Sequence, residues 1–211
     1  MNYIENIYVC LAAPLFLAIL CLRHSARRHL IFLLSGMTAC LLSAYVSTYV
    51  TGAIGAEPER DMAFHAIAPV VEEFIKFLPL LFYLLVFEPE KRKAVSGTLM
   101  VAIGFATFEN VCFLTTYGTD DLFRLLIRGF GTGAMHLVCG MAIAIGLFYL
   151  WDQIWLRIVG VFALLCVVIT FHAVFNVFVN QNGPIFWAGS GFPLTVVLIF
   201  LLFFREKANL F

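Results

Sequence analysis

Three glutamates and two histidines interrupt the apolar stretches of this chain. They are Glu72, Glu73, Glu109, His136 and His172. Carboxylates and imidazoles are the side chains that most often act as general acids and bases, and they also bind metal ions. An ionisable group at the centre of a bilayer costs about 2.5–3.5 kcal/mol on insertion scales, so such groups are retained mainly where function uses them. These five residues are therefore the first candidates for chemistry.

The composition of the chain is that of a membrane protein. Of its 211 residues, 63% are hydrophobic and 12% are charged, and the mean hydropathy is +0.98. No polar stretch is long enough for a separate soluble domain, so we expect a single integral membrane domain over residues 1–211. The formal net charge is zero, and nothing in the chain indicates binding to nucleic acid.

Breaks in the hydrophobicity divide the chain into seven candidate transmembrane helices. About 20 apolar residues are enough to cross a bilayer as a helix. The predicted segments are 6–22, 30–51, 62–87, 94–116, 125–150, 155–180 and 185–204. The sequence therefore predicts an all-α bundle that crosses the membrane about seven times.

The loops between these segments alternate between basic and acidic. The loops on one side carry Arg23, Arg27, Arg28, Lys91, Arg92, Lys93, Arg157, Arg205 and Lys207. The loops on the other side carry Glu57, Glu59, Asp61, Asp120 and Asp121, with Arg60 and Arg124 as their basic residues. Cytoplasmic loops are enriched in lysine and arginine, so we expect the N-terminus outside and the C-terminus in the cytoplasm.

The five candidate residues lie at similar depths on four successive segments. Counted from the outer ends at 1.5 Å per residue, each lies roughly 12–16 Å below the outer surface. Four antiparallel helices should therefore bring the carboxylates and imidazoles into one layer. This layer would be the catalytic core, over about residues 62–180.

A lysine lies one helical turn after the paired glutamates. Lys76 follows Glu73 by three residues and Glu72 by four, so its ammonium can reach either carboxylate on the helix surface. Adjacent carboxylates repel each other, and a neighbouring lysine would keep one ionised while the other holds a proton. This division suits general acid–base chemistry.

Two other helix faces carry polar or aromatic residues beside the candidates. Asn176 follows His172 by four residues, and Phe105 precedes Glu109 by four, with Asn110 alongside. Residues four apart lie on the same face of a helix. We therefore expect these side chains to face the same layer.

Glycines are frequent in the fifth segment, close to His136. Gly129 and Gly133 form a GxxxG pattern, which lets two membrane helices approach closely. The pattern predicts tight helix packing at this position.

The ordered motifs resemble those of the PrsW family of intramembrane proteases. They are Glu72-Glu73-Phe74-Ile75-Lys76, then Phe105-x-x-x-Glu109-Asn110, then His136, then His172-x-x-x-Asn176, within about residues 65–180. This family is grouped with the CAAX prenyl endopeptidases and the bacteriocin-immunity-type membrane proteases. The CAAX enzymes typically carry a histidine where this chain has Glu109, so the resemblance is to the PrsW branch.

The resemblance implies an intramembrane endopeptidase, a hydrolase that cleaves a peptide bond of a membrane-anchored protein. In the PrsW branch, the associated reaction is site-1 cleavage of a membrane-anchored anti-sigma factor. The resemblance also implies a multi-pass protein of the bacterial plasma membrane. We expect its partners to be a membrane-anchored substrate and the lipid bilayer.

The resemblance also assigns a water-activating base. By resemblance, Glu72 takes a proton from the attacking water, although spacing alone does not distinguish it from Glu73. Glu73 would orient Glu72 or pass the proton to the leaving amine. Lys76 would set the charge of the pair.

The remaining motif residues would complete the mechanism. His172 and Asn176 would donate hydrogen bonds to the developing oxyanion, while His136 and Glu109 would position the water. The expected catalytic residues are Glu72, Glu73, Glu109, His136, His172 and Asn176, with Lys76, Phe105 and Asn110 in support.

A metal ion is the alternative means of activating water. The larger group is described as glutamic-type proteases, although its members were long proposed to be metalloenzymes, and we expect no cofactor. In the alternative, Glu109, His136 and His172 supply one carboxylate and two imidazoles to Zn²⁺. The chain has no HExxH motif, the helix signature of many zinc peptidases.

Two other classes of function use buried carboxylates and histidines. A proton- or cation-coupled transporter uses them as a relay, but such transporters usually contain inverted repeats, and we find none in this chain. A noncatalytic protein that binds and shields a membrane peptide is the second alternative.

Overall fold

The computed structural model describes residues 4–55, 62–87, 90–118, 121–150, 153–181 and 183–203. All regular structure in these ranges is α-helical, which confirms the predicted fold class. In chain order the helices are α1 (Ile4–Cys21), α2 (His24–Ala53), α3 (Met62–Phe87), α4 (Lys91–Tyr117), α5 (Leu122–Leu150), α6 (Ile154–Val179) and α7 (Pro184–Phe203).

The predicted boundaries agree closely with these helices, apart from the start of α2. Hydropathy placed that start at residue 30, whereas the helix begins at His24. The difference is the basic stretch around Arg27 and Arg28, which forms the first turns of α2. Charged residues at a membrane surface can continue a helix, so hydropathy marks where the apolar segment begins and not where the helix begins.

Six of the seven helices in the described part of the chain are long and apolar enough to cross a membrane by length and composition. The chain is therefore a multi-pass membrane protein. The helix outside this set is α3, which is 26 residues long but carries Glu72, Glu73 and Lys76 near its middle. It packs against α2, α6 and α4, and the side chains of Glu73 and Lys76 are buried.

Among the described residues, α2 and α4 make a very close contact, in which the two helix backbones touch. A Cβ atom on Gly36 would lie 2.1 Å from the carbonyl oxygen of Val101, and one on Gly104 would lie 2.0 Å from that of Leu33. Only glycine fits at either position, because a side-chain carbon cannot approach a carbonyl so closely. These two contacts fix α4, which carries part of the polar layer, against α2.

The predicted close approach at Gly129 and Gly133 is wrong. Gly133 has no neighbouring atom within 4 Å of a Cβ, and Gly129 meets only the Asn110 amide at 3.7 Å. Tight packing in α5 occurs instead at Gly131, against Ser190 of α7, with a Cβ distance of 3.0 Å. The GxxxG pattern gave the helix correctly but not the face, because α5 has glycines on more than one side.

A hydrophobic core joins α3, α5 and α6 around the polar residues. Its buried members include Phe77, Leu80, Met135, Val168 and Phe175. By contrast, α1 has one buried residue, Ile19, and lies at the edge of the bundle. The core therefore fixes the three helices that carry Glu72, His136 and His172.

The expected membrane orientation remains a prediction. It depended largely on loop charges that lie outside the described residues, namely Glu57, Glu59, Arg60, Asp61, Asp120, Arg205 and Lys207.

Candidate active site

Helices α3, α4, α5 and α6 bring the five candidate residues together, as the sequence predicted. Direct polar contacts join Glu73 to His172 and His136 to Glu109. The two imidazole rings are 5.0 Å apart and nearly perpendicular. Glu73, His136 and His172 are fully buried, whereas the side chains of Glu72 and Glu109 are 18% and 24% exposed. We call these five residues and Lys76 the polar cluster.

Glu73 is the buried anion of the polar cluster. Its Oε1 accepts a hydrogen bond from Lys76 Nζ at 2.5 Å and lies 2.8 Å from His172 Nδ1. Spacing allowed Lys76 to pair with either glutamate, and the structure pairs it with Glu73, three residues earlier in the helix. The ammonium of Lys76 stabilises the ionised form of Glu73. Because a carboxylate can only accept hydrogen bonds, His172 carries its proton on Nδ1 and donates a hydrogen bond to Oε1.

Lys76 also contacts the second histidine. Its Nζ lies 2.9 Å from His136 Nδ1, and His136 Nε2 lies 2.5 Å from Glu109 Oε2. An ammonium group has no lone pair, so His136 accepts from Lys76 through Nδ1. The proton of a neutral His136 is then on Nε2, from which it is donated to Glu109. Both nitrogens of this ring are therefore engaged.

Glu72 and His172 face each other without completing a hydrogen bond. Glu72 Oε2 and His172 Nε2 are 3.5 Å apart. Both atoms are buried, and neither has a hydrogen-bond partner among the described residues. Buried polar atoms normally have hydrogen-bond partners. Two facing atoms that both lack a partner therefore indicate a position where a proton, a water molecule or an ion can bind.

Phe105 packs beneath the polar cluster. The residue is completely buried, its ring centroid is 4.9 Å from that of His136, and Lys76 Nζ lies 5.1 Å from it. The aromatic ring attracts the Lys76 ammonium electrostatically. The supporting position predicted for Phe105 is therefore consistent with its contacts.

Asn110 ties α4 to α5 beside Glu109. Its Nδ2 donates to the carbonyl oxygen of Gly129 at 3.2 Å, and its Oδ1 accepts from Arg128 at 3.3 Å. The guanidinium of Arg128 lies 3.4 Å from the centroid of Phe113 and 4.0 Å from Glu109 Oε1. Asn110 thus supports the site from outside the polar cluster.

Sequence reasoning missed Arg128. Its side chain is 18% exposed, and its guanidinium lies 4.0 Å from Glu109, which makes it a second cation near the site besides Lys76. The signal was present in the sequence, because an arginine eight residues before His136 lies two turns away on a similar helix face. Arg128 lies inside α5, in the predicted segment 125–150, but it belongs to none of the motifs that carry the family resemblance.

Asn176 lies on the same helix as His172, one turn further along. It is half-buried, and within the described ranges no hydrogen bond or contact joins its carboxamide to the polar cluster. The catalytic role expected for Asn176 therefore stays a prediction.

The positions of the possible metal ligands differ from those of the predicted zinc site. Among the described residues, one group of three has metal-ligand spacing: Glu72, His136 and His172, with ligand atoms all within 4.8 Å of one another. Glu72 thus takes the place that the sequence prediction gave to Glu109. One carboxylate and two imidazoles form a common ligand set of catalytic zinc.

These three residues fit a metal ion only in part. His172 resembles a zinc ligand, because Nε2 is free and Nδ1 donates to a carboxylate. Glu72 Oε2 is also available. His136 differs, because the Lys76 ammonium occupies Nδ1 and leaves the proton on Nε2. To bind a metal, His136 would have to give up that proton and its hydrogen bond to Glu109.

The polar cluster combines the elements needed for hydrolysis. It has a partly exposed carboxylate, Glu72, opposite an imidazole nitrogen that can accept a proton. It also has a second carboxylate, Glu73, that stabilises positive charge on the same imidazole. Such an arrangement can take a proton from water and return it to a leaving group.

A sequence model of the PrsW family of intramembrane metalloproteases matches residues 25–204. The match includes every residue of the polar cluster and helices α3–α7. Comparisons with curated proteins and with solved structures found no match. Because the family match covers most of the chain, this protein belongs to the PrsW family of intramembrane proteases.

Proposed function

We propose that the protein hydrolyses a peptide bond of a membrane-anchored protein with a water molecule activated by Glu72. The observation that supports this proposal is the pair of unpartnered buried atoms, Glu72 Oε2 and His172 Nε2, 3.5 Å apart. A water molecule that bonds to both would complete their hydrogen bonding. Glu72 is the better base of the two glutamates because Glu73 is already bonded to Lys76 and His172.

The proton has a complete route in this scheme. Glu72 takes a proton from water as the water oxygen bonds to the carbonyl carbon of the scissile peptide. His172 Nε2 can share that proton, and Glu73 stabilises the resulting imidazolium through Nδ1. The proton then passes to the leaving nitrogen as the carbon–nitrogen bond breaks, which regenerates the Glu72 carboxylate.

The oxyanion of the tetrahedral intermediate requires hydrogen-bond donors. Asn176 is available because its carboxamide makes no hydrogen bond within the described ranges, and doubly protonated His172 is the second donor. Losing one such donor typically costs about 10²–10³ in rate. Glu109 and His136, which are joined by a hydrogen bond, support the imidazole pair from the side of α4 and α5.

The family is described as one of metalloproteases, and Glu72 and His172 fit such a role. If a metal ion is bound, it would polarise the scissile carbonyl and lower the pKa of a bound water. We favour glutamate chemistry without a metal, because Lys76 engages the His136 nitrogen opposite the one that would bind the ion.

The finer assignments are proposals that rest on the family and on loop charge. They are a bacterial plasma membrane location, an extracytoplasmic N-terminus, and site-1 cleavage of an anti-sigma factor. The same holds for the single domain over residues 1–211, with its catalytic core at about 62–180.

The first test is a cleavage assay with purified protein in liposomes and a panel of single-span membrane proteins. We compare the wild type with Glu72→Gln, each with and without a strong chelator. The matched control is Glu90→Gln, which alters an exposed carboxylate paired with Lys93. We expect Glu72→Gln to lower the rate by about 10²–10⁴, with no effect of the chelator or of the control substitution.

Two outcomes would contradict the scheme. Activity that is lost with the chelator and restored by Zn²⁺ would make the protein a metalloprotease. Equal cleavage by the wild type and Glu72→Gln would exclude Glu72 as the base. If no substrate is cleaved, proton flux and peptide binding in the same liposomes would test the transporter and the noncatalytic binder.

A further inference from the structure

A pocket with polar walls opens between the end of α4 and the start of α5. Its volume is about 240 Å³, and it is lined by Phe113, Gly118, Arg124, Leu125 and Arg128. We call it the α4–α5 pocket. Gly118 follows the last residue of α4, and Leu125 lies in the first turn of α5. Because helices of this length span the bilayer, the pocket lies near one membrane surface, where it can exchange water with the solution.

Arg128 joins this pocket to the polar cluster. Its guanidinium lies over the ring of Phe113, 3.4 Å from the centroid, and it lies 4.0 Å from Glu109 Oε1. The side chains of Arg128 and Glu109 are 18% and 24% exposed, so protein atoms do not close off either of them. Glu109 in turn contacts His136. Direct contacts therefore lead from the wall of the pocket to the polar cluster.

A buried threonine lies between Arg128 and His136 on the same face of α5. Thr132 follows Arg128 by four residues and precedes His136 by four, and residues four apart share a helix face. Burial increases along this face, because Arg128 is half-buried whereas Thr132 is 1% exposed and His136 is fully buried. This face of α5 therefore runs from the α4–α5 pocket into the polar cluster.

The hydroxyl of Thr132 differs from other threonine hydroxyls of the bundle. Thr98, Thr107 and Thr170 each donate to the carbonyl oxygen four residues earlier in the same helix. Thr132 Oγ1 is buried and has neither this hydrogen bond nor any other among the described residues. Buried hydroxyls normally have a partner, and where protein offers none a water molecule commonly supplies it. The unpartnered hydroxyl therefore indicates a water site one helical turn from His136.

We propose that the water consumed in hydrolysis reaches the polar cluster through the α4–α5 pocket and along the Thr132 face of α5. This inference rests on the proposed function and adds the source of its second reactant. Thr132 acts as a positioning residue that binds a water molecule on the way. The last step to Glu72 is short, because the ligand atoms of Glu72, His136 and His172 all lie within 4.8 Å of one another.

A larger cavity elsewhere in the bundle provides a matched control. Its volume is about 420 Å³, and it is mainly apolar, with Leu99, Met100, Leu137 and Met141 among its lining residues. Such surroundings offer a water molecule few polar partners. If volume alone determined where water enters, this cavity would be the better path.

Hydroxyl-radical footprinting with pulsed X-rays tests the path without requiring cleavage. Radicals formed from water label the side chains beside it, and mass spectrometry locates the label in protein held in liposomes. We expect label on His136 in the wild type and loss of most of it in Leu125→Trp, because the indole ring occupies the α4–α5 pocket. Met141→Trp places the same ring in the apolar cavity from the same helix and should leave the label on His136 unchanged.

Three results would overturn the proposal. They are a wild type without label on His136, equal label in Leu125→Trp and the wild type, and loss of the label in Met141→Trp. Failure of the proposed function would appear differently, as label on His136 that depends on the pocket in a protein that cleaves no membrane-anchored substrate.

A conservative pair of substitutions tests Thr132 in the active protein. Thr132→Val removes the hydroxyl but keeps the side-chain shape, and we expect kcat to fall about five- to tenfold with KM unchanged, as for one lost hydrogen bond. Thr132→Ser keeps the hydroxyl and should retain the wild-type kcat. The control is Thr98→Val, at a threonine whose hydroxyl is bonded within its own helix, and it should also retain kcat. Equal kcat values for Thr132→Val and Thr132→Ser would contradict the role of the hydroxyl.

Discussion

The two histidines of the polar cluster have opposite surroundings. His136 is bonded on both sides, to Lys76 and to Glu109, and we call these three residues the closed half. His172 is bonded through Nδ1, but its Nε2 faces Glu72 without a hydrogen bond. We call Glu72 and His172 the open half.

The difference between the halves separates structure from chemistry. A fully bonded buried network stabilises one arrangement of side chains and has no free lone pair for a reactant. Unpartnered buried atoms reduce stability, typically by about 1–3 kcal/mol each. Two such atoms, Glu72 Oε2 and His172 Nε2, face each other where the carboxylate of Glu72 is partly exposed, and a substrate water could bond to both. We therefore propose that the chemistry takes place at the open half and that the closed half supports it.

Removing the cation shared by the network should have the largest effect on stability. Lys76→Met keeps a long apolar side chain but leaves the buried Glu73 carboxylate without its ammonium partner. Breaking a buried ion pair in this way typically costs about 3–5 kcal/mol. Unfolding in detergent should show this loss, whereas Lys93→Met, at an exposed ion pair, should have little effect. Equal stability of the two variants would contradict the closed network.

The two adjacent glutamates should differ in how much each contributes to the stability of the protein. We expect Glu73→Gln to lower the free energy of unfolding by about 2–3 kcal/mol, because hydrogen bonds to charged groups are lost. Glu72→Gln should cost less than about 1 kcal/mol, since Glu72 Oε2 has no hydrogen-bond partner to lose. Denaturation of both variants under the same conditions tests this. Comparable destabilisation would show that the open half is bonded after all.

A glutamine should replace His136 better than it replaces His172. The glutamine carbonyl can accept from Lys76 while its amide donates to Glu109, so both contacts of the closed half are retained. We expect His136→Gln to keep the cleavage rate within about tenfold of the wild type. His172→Gln loses the ring nitrogen opposite Glu72 and should be slower by about 10²–10³.

Measuring bound metal in the same two variants also tests whether His136 is a metal ligand. Complete inactivation by His136→Gln together with loss of a bound zinc ion would show that His136 is a ligand and would refute the closed half as described.

Arg128 should have the smallest effect of these residues. Arg128→Gln removes the guanidinium from Phe113 and from Glu109, and we expect a loss of stability of about 1 kcal/mol. The control is Arg92→Gln, at an exposed position at the start of α4. A much larger loss of stability, or inactivation without a loss of stability, would show that Arg128 takes part in the reaction and does not only support the site.

The fold was predictable from the sequence because a bilayer imposes a simple rule. Apolar segments of the required length become helices, and the predicted segment 62–87 coincides with α3. The glycine contacts were not predictable in the same way. Gly36 and Gly104 meet carbonyl oxygens, while the more conspicuous Gly129 and Gly133 do not, because spacing along one helix does not identify the partner helix.

The grouping of the five candidate residues was predictable, but the hydrogen bonds among them were not. Depth along the helices correctly brought the five candidate residues together. Two features depend on rotations of the helices by a few tens of degrees. One is the glutamate that pairs with Lys76, and the other is the grouping of Glu72 with the two histidines. Hydropathy carries no information on rotation, and a family resemblance names residues without their hydrogen bonds.

The ion pair of α3 also bears on how the protein is made. Lys76 and Glu73 are on the same helix, three residues apart, so they can neutralise each other while α3 is still alone in the membrane. Among the described residues of α3, no ion pair of this kind is formed by Glu72. The imidazole that faces Glu72 at 3.5 Å belongs to His172, so we expect the third helix to reach its final position only after the sixth is in place.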